Sequence, residues 1–417
     1  ALQNDFSLNV RLADVNFPQI AFAALSGDGW TVEAGRDRLN WGSGATGNLV
    51  LSDNFPYYDN VRFTAYSEKY KYTYLLAFFP YKGNYYTEGG VYRGLSDNSS
   101  ACILDGTFFY AAHRFEGRLL SDKLSLALTE ALVYESKTNS IQFAALSPMY
   151  FMHNAYMPNN SNSTLSLELD YTPMKKVSLY SQILLDQFAF PGFETAPGPN
   201  KSDETDTNGF ACMLGARYTT DLKGGILEVN PEFVYIGAYT YLRDGKLGHG
   251  LDYVGAVKSR LYAFEDISST DISYDEFVIG YKYGPDCVVA NLDLSWENEK
   301  LSLGANALFI AHGTNDIWTK WRAVPAHTSD EDYKNQFSAP TTDGSHSENF
   351  RYPAAEIAER NSRWITVDVG ARCSYQMSDN LALNASLDLV YMNGIFNHRD
   401  AKAFGAQIVL GGKYSFL

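Results

Sequence analysis

Apolar and polar residues alternate along many segments of this chain. From Leu301 to Phe309 the odd-numbered positions are all apolar, while Ser302, Gly304 and Asn306 lie between them. A period of two predicts a β-strand with one apolar face and one polar face. The same alternation is found in seven other segments: 6–12, 165–171, 227–235, 288–296, 365–375, 381–391 and 404–416.

Short turns and long polar connections alternate along the chain between these segments. Short turns are expected at 68–71, 117–123, 173–176, 221–225, 297–300 and 377–380. Long connections are expected near 37–59, 81–105, 135–160, 189–207, 237–286, 313–363 and 393–403. A soluble β-sandwich also alternates, but strands of about 9–12 residues have the length of a tilted membrane crossing. Short turns on one side and long loops on the other are typical of outer-membrane barrels.

We therefore predict an all-β fold, a transmembrane antiparallel β-barrel of the bacterial outer membrane, with residues 1–417 forming a single domain. We expect about 16 strands, within a range of about 14–18, with short periplasmic turns and long surface-exposed extracellular loops. A further hairpin within 237–286 would raise the number to about 18. The last strand, 404–416, resembles the terminal signal of outer-membrane barrels. Outer-membrane lipid and the insertion machinery are therefore expected partners, the latter through this strand.

Composition agrees with a membrane barrel. The chain has 30 tyrosines and 25 phenylalanines, and only 19% of its residues are charged, as aromatic girdles and a lipid-facing wall require. The net charge of −15 argues against a nucleic-acid partner, which needs a basic surface. The four cysteines lack metal-ligand spacing, so no metal or cofactor is expected. Cys212 and Cys373 fall on lipid-facing positions, which favours free thiols.

The inward positions carry charges of both signs. Burying a charge costs several kcal/mol unless it is paired or hydrated, so the lumen must hold water, ion pairs or a polar ligand. The predicted lumen charge network consists of Arg36, Arg62, Arg114, Glu130, Asp170, Asp186, Arg217, Asp293 and Arg372.

Glu130 breaks the alternation of its strand. It shares parity with Leu126 and Leu128, which should face lipid, and a carboxylate in the hydrocarbon region is costly. We therefore predict a β-bulge near Thr129 that turns Glu130 inward to pair with Arg114 or Arg36.

The segment 35–60, GRDRLNWGSGATGNLVLSDNFPYYDN, lies between two predicted strands. Its glycines do not form a nucleotide site, because that fingerprint leads into a helix and this segment does not. Aromatic rings beside amides and carboxylates suit sugar recognition, and a purely structural loop plug is the open alternative. The candidate ligand residues here are Trp41, Asn48, Asp53, Asn54, Tyr57 and Tyr58.

The same segment resembles the hallmark of the Wzi family of outer-membrane capsule-assembly proteins. The matching positions are Gly35, Arg36, Trp41, Gly42, Gly44, Gly47, Leu49, Leu51, Ser52, Asn54 and Pro56. Three later stretches, within 112–134, 146–154 and 179–188, are similar to family segments in the same order. The resemblance implies an outer-membrane barrel lectin that retains capsular polysaccharide. It adds His153 and Asn154 to the candidate ligand residues.

Three functions can be considered for such a barrel. The first is a Wzi-like barrel that binds or anchors surface polysaccharide in capsule or exopolysaccharide assembly or retention. The second is a general porin, a water-filled diffusion channel for small polar solutes. An enzyme is not expected, because no serine nucleophile motif accompanies His153 or His312.

Overall fold

The structure is a computed structural model of the 417-residue chain. It describes residues 20–79, 107–136, 141–147, 161–187, 209–238, 240–242, 254–258, 274–313, 315, 319–320, 348–349 and 363–415.

Fifteen of the described strands form one antiparallel sheet, in which they follow one another in the order of the chain. These strands are β1 (Ala21–Gly27), β2 (Trp30–Asp37), β3 (Tyr58–Tyr66), β4 (Tyr70–Phe79), β5 (Thr107–Leu119), β6 (Leu124–Ser136), β7 (Ser161–Met174), β8 (Val177–Gln187), β9 (Gly209–Leu222), β10 (Gly225–Ile236), β13 (Cys287–Glu297), β14 (Leu301–His312), β17 (Trp364–Ser378), β18 (Leu381–Asn393) and β19 (Lys402–Tyr414). Two small separate sheets pair β11 (Val254–Lys258) with β12 (Tyr274–Val278) and β15 (Thr319–Lys320) with β16 (Glu348–Asn349). The fold is thus an all-β barrel of the outer-membrane type, as predicted.

The predicted alternation holds in the sheet. Large apolar side chains of the lipid-facing set remain exposed: Leu294 is 38% exposed, Tyr391 41% and Leu410 78%. The opposite face carries the buried and polar residues, among them Asn230 and Glu232. Large apolar side chains exposed along a whole face of a sheet are typical of a wall that meets lipid, so the pattern indicates a membrane barrel.

The turns also follow the prediction. Strands β13 and β14 are joined by 298–300, and β17 and β18 by 379–380. The hairpin expected within 237–286 is present as β11 and β12, but these two strands pair only with each other and stay outside the main sheet. No helix in the described ranges has the length and apolarity needed to cross a bilayer.

An odd number of strands has a consequence for closure. Each of the 15 strands in the described part of the sheet is antiparallel to its neighbours. The first and last of them, β1 and β19, therefore run in the same direction, and a direct pairing of the two would be parallel. The predicted strand at 6–12 lies outside the described residues.

The thiols agree with the predicted parity. Cys212, Cys287 and Cys373 are all free in the described part of the chain. Cys373 is exposed on the lipid face, whereas Cys287 is buried on the inward face. Cys102 lies outside the described residues.

The predicted bulge at Thr129 is wrong. Strands β5 and β6 pair without a register shift. The pairing runs from Thr107 opposite Ser136 to Leu119 opposite Leu124, and it puts His113 opposite Glu130. Glu130 therefore keeps the outward parity of Leu128, which is 42% exposed, yet Glu130 itself is only 3% exposed. The protein buries the carboxylate on the outer face instead of turning it inward.

A segment of the chain covers part of this outer face. Residues 141–147, here called the outer segment, contain a 3-10 turn at Phe143–Leu146 and pack on the upper part of β4–β6. The buried cluster beneath consists of Phe109, Ala111, Leu132, Tyr134 and Ala145. The Tyr74 hydroxyl donates to the Leu146 carbonyl at 2.7 Å, and the Gln142 N–H donates to the Tyr134 hydroxyl at 3.3 Å.

The lipid-facing assignment can be tested with Leu294→Arg. Placing a guanidinium on the outer face near the middle of β13 should lower the free energy of unfolding in lipid vesicles by about 2–4 kcal/mol. The matched control is Ser295→Arg, because Ser295 is the next residue and faces inward toward water. Urea titration of vesicle-inserted protein would measure both variants, and an equal loss for the two would contradict the assignment.

Candidate functional site

The connection between β2 and β3, residues 38–57 and here called the inner loop, folds into the barrel interior. Leu49, Val50 and Leu51 are fully buried. The backbone N–H of Trp41 donates to the Leu51 carbonyl at 2.9 Å, and the backbone N–H of Ser52 donates to the Ile279 carbonyl at 2.9 Å. The loop therefore fills part of the lumen with an apolar core of its own.

The glycines of the loop permit close packing against the wall. Gly42 has a φ of 121°, and a Cβ there would overlap the side-chain amides of Gln182 and Asn48. Such a positive φ favours glycine. The Gln182 amide nitrogen donates to Asn48 Oδ1 at 2.5 Å, and its oxygen accepts the Leu49 N–H at 2.8 Å. The sequence motif thus allows a hydrogen-bonded contact between the loop and β8.

The glycine-rich tip of the loop does cradle an anion, and that anion is a side chain of the wall. The carboxylate of Glu232, on β10, accepts the Ala45 N–H at 2.6 Å and the Thr46 N–H at 3.0 Å. It also accepts the Thr46 hydroxyl and the Tyr180 hydroxyl at 2.9 Å. Successive backbone N–H groups form an anion-binding nest, and the carboxylate of Glu232 occupies the nest formed here. These bonds hold the loop against β10.

Residues 277–283 lie above the inner loop and hold it from the other side. The Asn54 amide donates to the carbonyls of Val278 and Gly280, each at 2.6 Å. The Tyr241 hydroxyl donates to the Leu49 carbonyl at 2.5 Å and accepts the Tyr281 N–H at 3.1 Å. Burial raises the pKa of the Tyr241 and Tyr281 phenols well above the usual range, so both remain neutral hydrogen-bonding groups.

Ion pairs brace the wall around the loop. Arg114 forms a two-point pair with Glu168, with N–O distances of 2.5 and 2.9 Å, and donates to the Thr129 hydroxyl at 3.1 Å. Its guanidinium carbon lies 5.4 Å from the centre of the Trp41 ring. The expected Arg114–Glu130 pair is therefore wrong, since Glu130 lies on the other face of the sheet.

The other predicted charges occupy several positions. Arg62 pairs with Glu33 at 2.7 Å and with Asp37 at 3.4 Å. The remaining inward contacts join Asp186 to the Tyr241 N–H at 2.6 Å, Arg217 to the Ser43 carbonyl at 2.8 Å, and Asp293 to the Asn291 amide at 2.6 Å. Asp170 and Arg372 also lie at inward positions of β7 and β17.

Arg36 differs from the rest of the predicted network. It lies at an outward position near the end of β2 and pairs with Asp59 through two bonds of 2.8 and 3.0 Å. Its guanidinium also lies 3.9 Å from the centre of the Tyr57 ring. Arg36 thus belongs to the outer rim of the barrel and not to the lumen.

The structure separates the candidate ligand residues into two groups. Asn48 and Tyr58 are fully buried, and Tyr58 donates to the Ser52 carbonyl at 2.5 Å. Asp53 is exposed, and Trp41, Asn54 and Tyr57 are partly buried. His153 and Asn154 lie outside the described residues.

The alternation of 227–235 puts Glu232 at a polar position without indicating a role for it, and no sequence pattern points to Tyr241 or Tyr281. All three act on a loop that is distant in sequence; Glu232 and Thr46 are separated by 186 positions. Two features of the sequence could have indicated this contact. They are a carboxylate at an inward position of its strand, and a glycine-rich loop whose backbone N–H groups need acceptors.

Searches against protein-family models and against curated proteins found no match. Among solved structures, the chain is similar to Wzi of Escherichia coli, an outer-membrane carbohydrate-binding β-barrel involved in group 1 capsule assembly. The identity is 11%, the TM-score is 0.49, and the match covers 94% of this chain and 68% of that one.

The outer-membrane channel DcaP of Acinetobacter baumannii is similar at 10% identity with a TM-score of 0.34, over 94% of this chain and 99% of that one. A BenF-like porin from Pseudomonas fluorescens is similar at 9% identity with a TM-score of 0.37, over 93% and 75%. No residue role follows from likenesses of this degree, so function is argued below from the side chains.

The role of Glu232 can be tested with Glu232→Ala. Removing the carboxylate leaves the buried N–H groups of Ala45 and Thr46 without their acceptor, which should lower the free energy of unfolding by about 3 kcal/mol. Chemical denaturation of detergent-folded protein, followed by tryptophan fluorescence, would measure the change.

Glu228→Ala is the matched control, because Glu228 occupies another inward position of the same strand, nearer to the short turn. Its effect should stay within about 0.5 kcal/mol. Equal stability of the two variants would mean that the nest does not hold the inner loop.

Proposed function

We propose that this chain is an outer-membrane barrel that binds or anchors surface polysaccharide, with its lumen closed to wide solutes by the inner loop. The observation that carries the proposal is the packing of residues 38–57 inside the barrel, with Leu49, Val50 and Leu51 fully buried. A loop bonded to β8, β9 and β10 through Gln182, Arg217 and Glu232 is unsuited to a general porin, which needs a wide aqueous lumen.

The segment that resembles the Wzi hallmark is the inner loop itself. In that segment Gly42 and Asn48 have packing roles, and so does Ser52, whose N–H binds the Ile279 carbonyl. The resemblance therefore supports a shared way of closing the barrel, and polysaccharide contact is assigned to neighbouring residues whose side chains reach the surface.

The proposed contact surface lies at the long-loop end, where the inner loop leads into β3. Asp53 is exposed there. The aromatic side chains of Phe55 and Tyr57 are partly buried, with ring centres 5.0 Å apart. A carboxylate can accept hydrogen bonds from sugar hydroxyls, and aromatic rings supply the flat apolar surface on which a sugar packs. Arg36, held by Asp59 and Tyr57, adds a cation at the same rim.

The test is binding of the full-length barrel to a glycan array, followed by affinity measurement with purified bacterial capsular polysaccharides. Asp53→Ala and Tyr57→Ala should each weaken binding about tenfold, corresponding to about 1.4 kcal/mol. Both variants should keep the folded electrophoretic mobility of the parent, since Asp53 is exposed and Tyr57 is only partly buried at the edge of the loop core.

Matched controls remove the same side chains from the short-turn end. Asp28 is exposed in the turn between β1 and β2, and Tyr70 is 64% exposed at the start of β4. Asp28→Ala and Tyr70→Ala should bind polysaccharide as well as the parent does. Absence of binding to every polysaccharide, or equal losses for controls and test variants, would overturn the proposal.

A further inference from the structure

The last residues of the inner loop, 53–57 and here called the loop exit, carry the polysaccharide surface proposed above. A second stretch of chain, residues 277–280 and here called the brace, is hydrogen-bonded to this part of the loop. The backbone N–H of Ser52, the residue before the loop exit, donates to the Ile279 carbonyl at 2.9 Å. The loop and the brace are therefore joined where the proposed surface begins.

Asn54 makes a second connection between the loop exit and the brace. Its side-chain nitrogen donates to the carbonyls of Val278 and Gly280, each at 2.6 Å. An amide nitrogen carries two N–H donors, so both donors of Asn54 are used within the protein. A sugar bound beside Asp53 and Phe55 could therefore contact only the oxygen of this side chain.

The brace is fixed to the barrel wall independently of Asn54. The backbone N–H of Tyr281, the next residue, donates to the Tyr241 hydroxyl at 3.1 Å. The backbone N–H of Tyr241 in turn donates to the Asp186 carboxylate on β8 at 2.6 Å. Farther along, the backbone N–H of Asp286 donates to the Gly237 carbonyl at the end of β10 at 3.2 Å. Asn54 thus ties the loop exit to a stretch of chain that the wall already holds.

Gly280 allows the brace to approach the loop this closely. A Cβ at this position would overlap the carbonyl oxygen of Leu49 and the ring of Tyr241. Because the two backbones lie so close together, one Asn54 side chain reaches the carbonyls on both sides of Ile279.

Aromatic contacts extend from the brace to the rim of the barrel. The ring of Phe277 stacks on Phe55, with centres 5.1 Å apart and planes inclined by 16°. Phe55 meets Tyr57 edge to face at 5.0 Å, and the Arg36 guanidinium lies 3.9 Å from the centre of the Tyr57 ring. Stacked and edge-to-face pairs are the arrangements that aromatic rings prefer. The proposed surface is therefore supported from the brace on one side and from β2 on the other.

We infer that Asn54 is a positioning residue for the polysaccharide surface and not a residue that binds the sugar. Its two donor bonds hold the loop exit in the shape that binds, so that Asp53 and Phe55 are already ordered when the polysaccharide arrives. Side chains and loops that must be ordered on binding lower the affinity. This role deepens the proposed function and rests on it.

Asn54→Asp tests the role, because it keeps the size and one oxygen of the side chain but replaces the donating nitrogen with an acceptor. Two quantities would be measured on the full chain folded in detergent. They are the affinity for a capsular polysaccharide that the parent binds, and the hydrogen exchange of the backbone at 52–57 without polysaccharide. The affinity should fall about tenfold, and the exchange should become about tenfold faster.

Asn54→Leu separates positioning from repulsion by the new carboxylate, because leucine is similar in size and uncharged. It should show the same two changes. Asn54→Ser, with one donor fewer, should show smaller changes in the same direction, and it replaces either variant that fails to reach the folded electrophoretic mobility of the parent.

The matched control is Asn298→Asp in the turn between β13 and β14. Asn298 uses its side-chain oxygen to accept the backbone N–H groups of Lys300 at 2.9 Å and Leu301 at 2.8 Å. An aspartate can still accept both bonds, so the affinity and the exchange should equal those of the parent.

The possible failures of the two proposals differ. If the parent binds polysaccharide and Asn54→Asp or Asn54→Leu binds it as tightly, the inference is overturned while the proposed function stands. Unchanged exchange at 52–57 in both variants would have the same meaning. A parent that binds no polysaccharide would overturn the proposed function, and the role of Asn54 with it.

Discussion

The carboxylate of Glu232 lies where the inner loop meets the barrel wall, and the interior arrangement depends on how the loop's backbone donors are satisfied. A buried N–H group without an acceptor costs about as much as a lost hydrogen bond, so a loop rich in glycine cannot enter a lumen unless the wall provides acceptors. Glu232 supplies them to Ala45 and Thr46, and Gln182 supplies one to Leu49. Once these bonds form, the apolar residues 49–51 can pack away from water. The loop and the wall are therefore stabilised together.

The strands were predictable because their signal is local. The alternation in Leu301–Phe309 and its turn at 297–300 depend only on neighbours in sequence, and the structure has β14 and a turn at 298–300 there. The position of the inner loop was left open, because the bonds that hold it to β8, β9 and β10 join residues 133 or more positions apart. A glycine-rich segment by itself does not indicate which carboxylate its backbone N–H groups bind. The segment leads into β3 and not into a helix, but nothing in its sequence identifies Glu232 as the anion that it binds.

The errors at Glu130 and Arg36 have a common cause. Both expectations assumed that every outward position faces hydrocarbon and every charge must turn inward. Arg36 instead lies outward at the end of β2, where Asp59 and Tyr57 engage it. Glu130 lies outward opposite His113, and His113 in turn lies near Tyr72, whose hydroxyl is 3.0 Å from its Nδ1. Alternation gives the face of a residue correctly, but the medium on that face depends on what else the chain places there.

The outer segment has a further consequence for how the wall is built. It begins a few residues after the end of β6, and it covers β5 and β6, the hairpin that precedes it in the chain. Closing so short a connection costs little chain entropy, so the outer segment can pack on β5 and β6 as one local unit. The 85%-exposed ring of Phe143 then presents a new apolar contact in place of the strands beneath it. The barrel is therefore wider on this side, and a neighbouring membrane protein would contact residues 141–147 here before it reached β5 and β6.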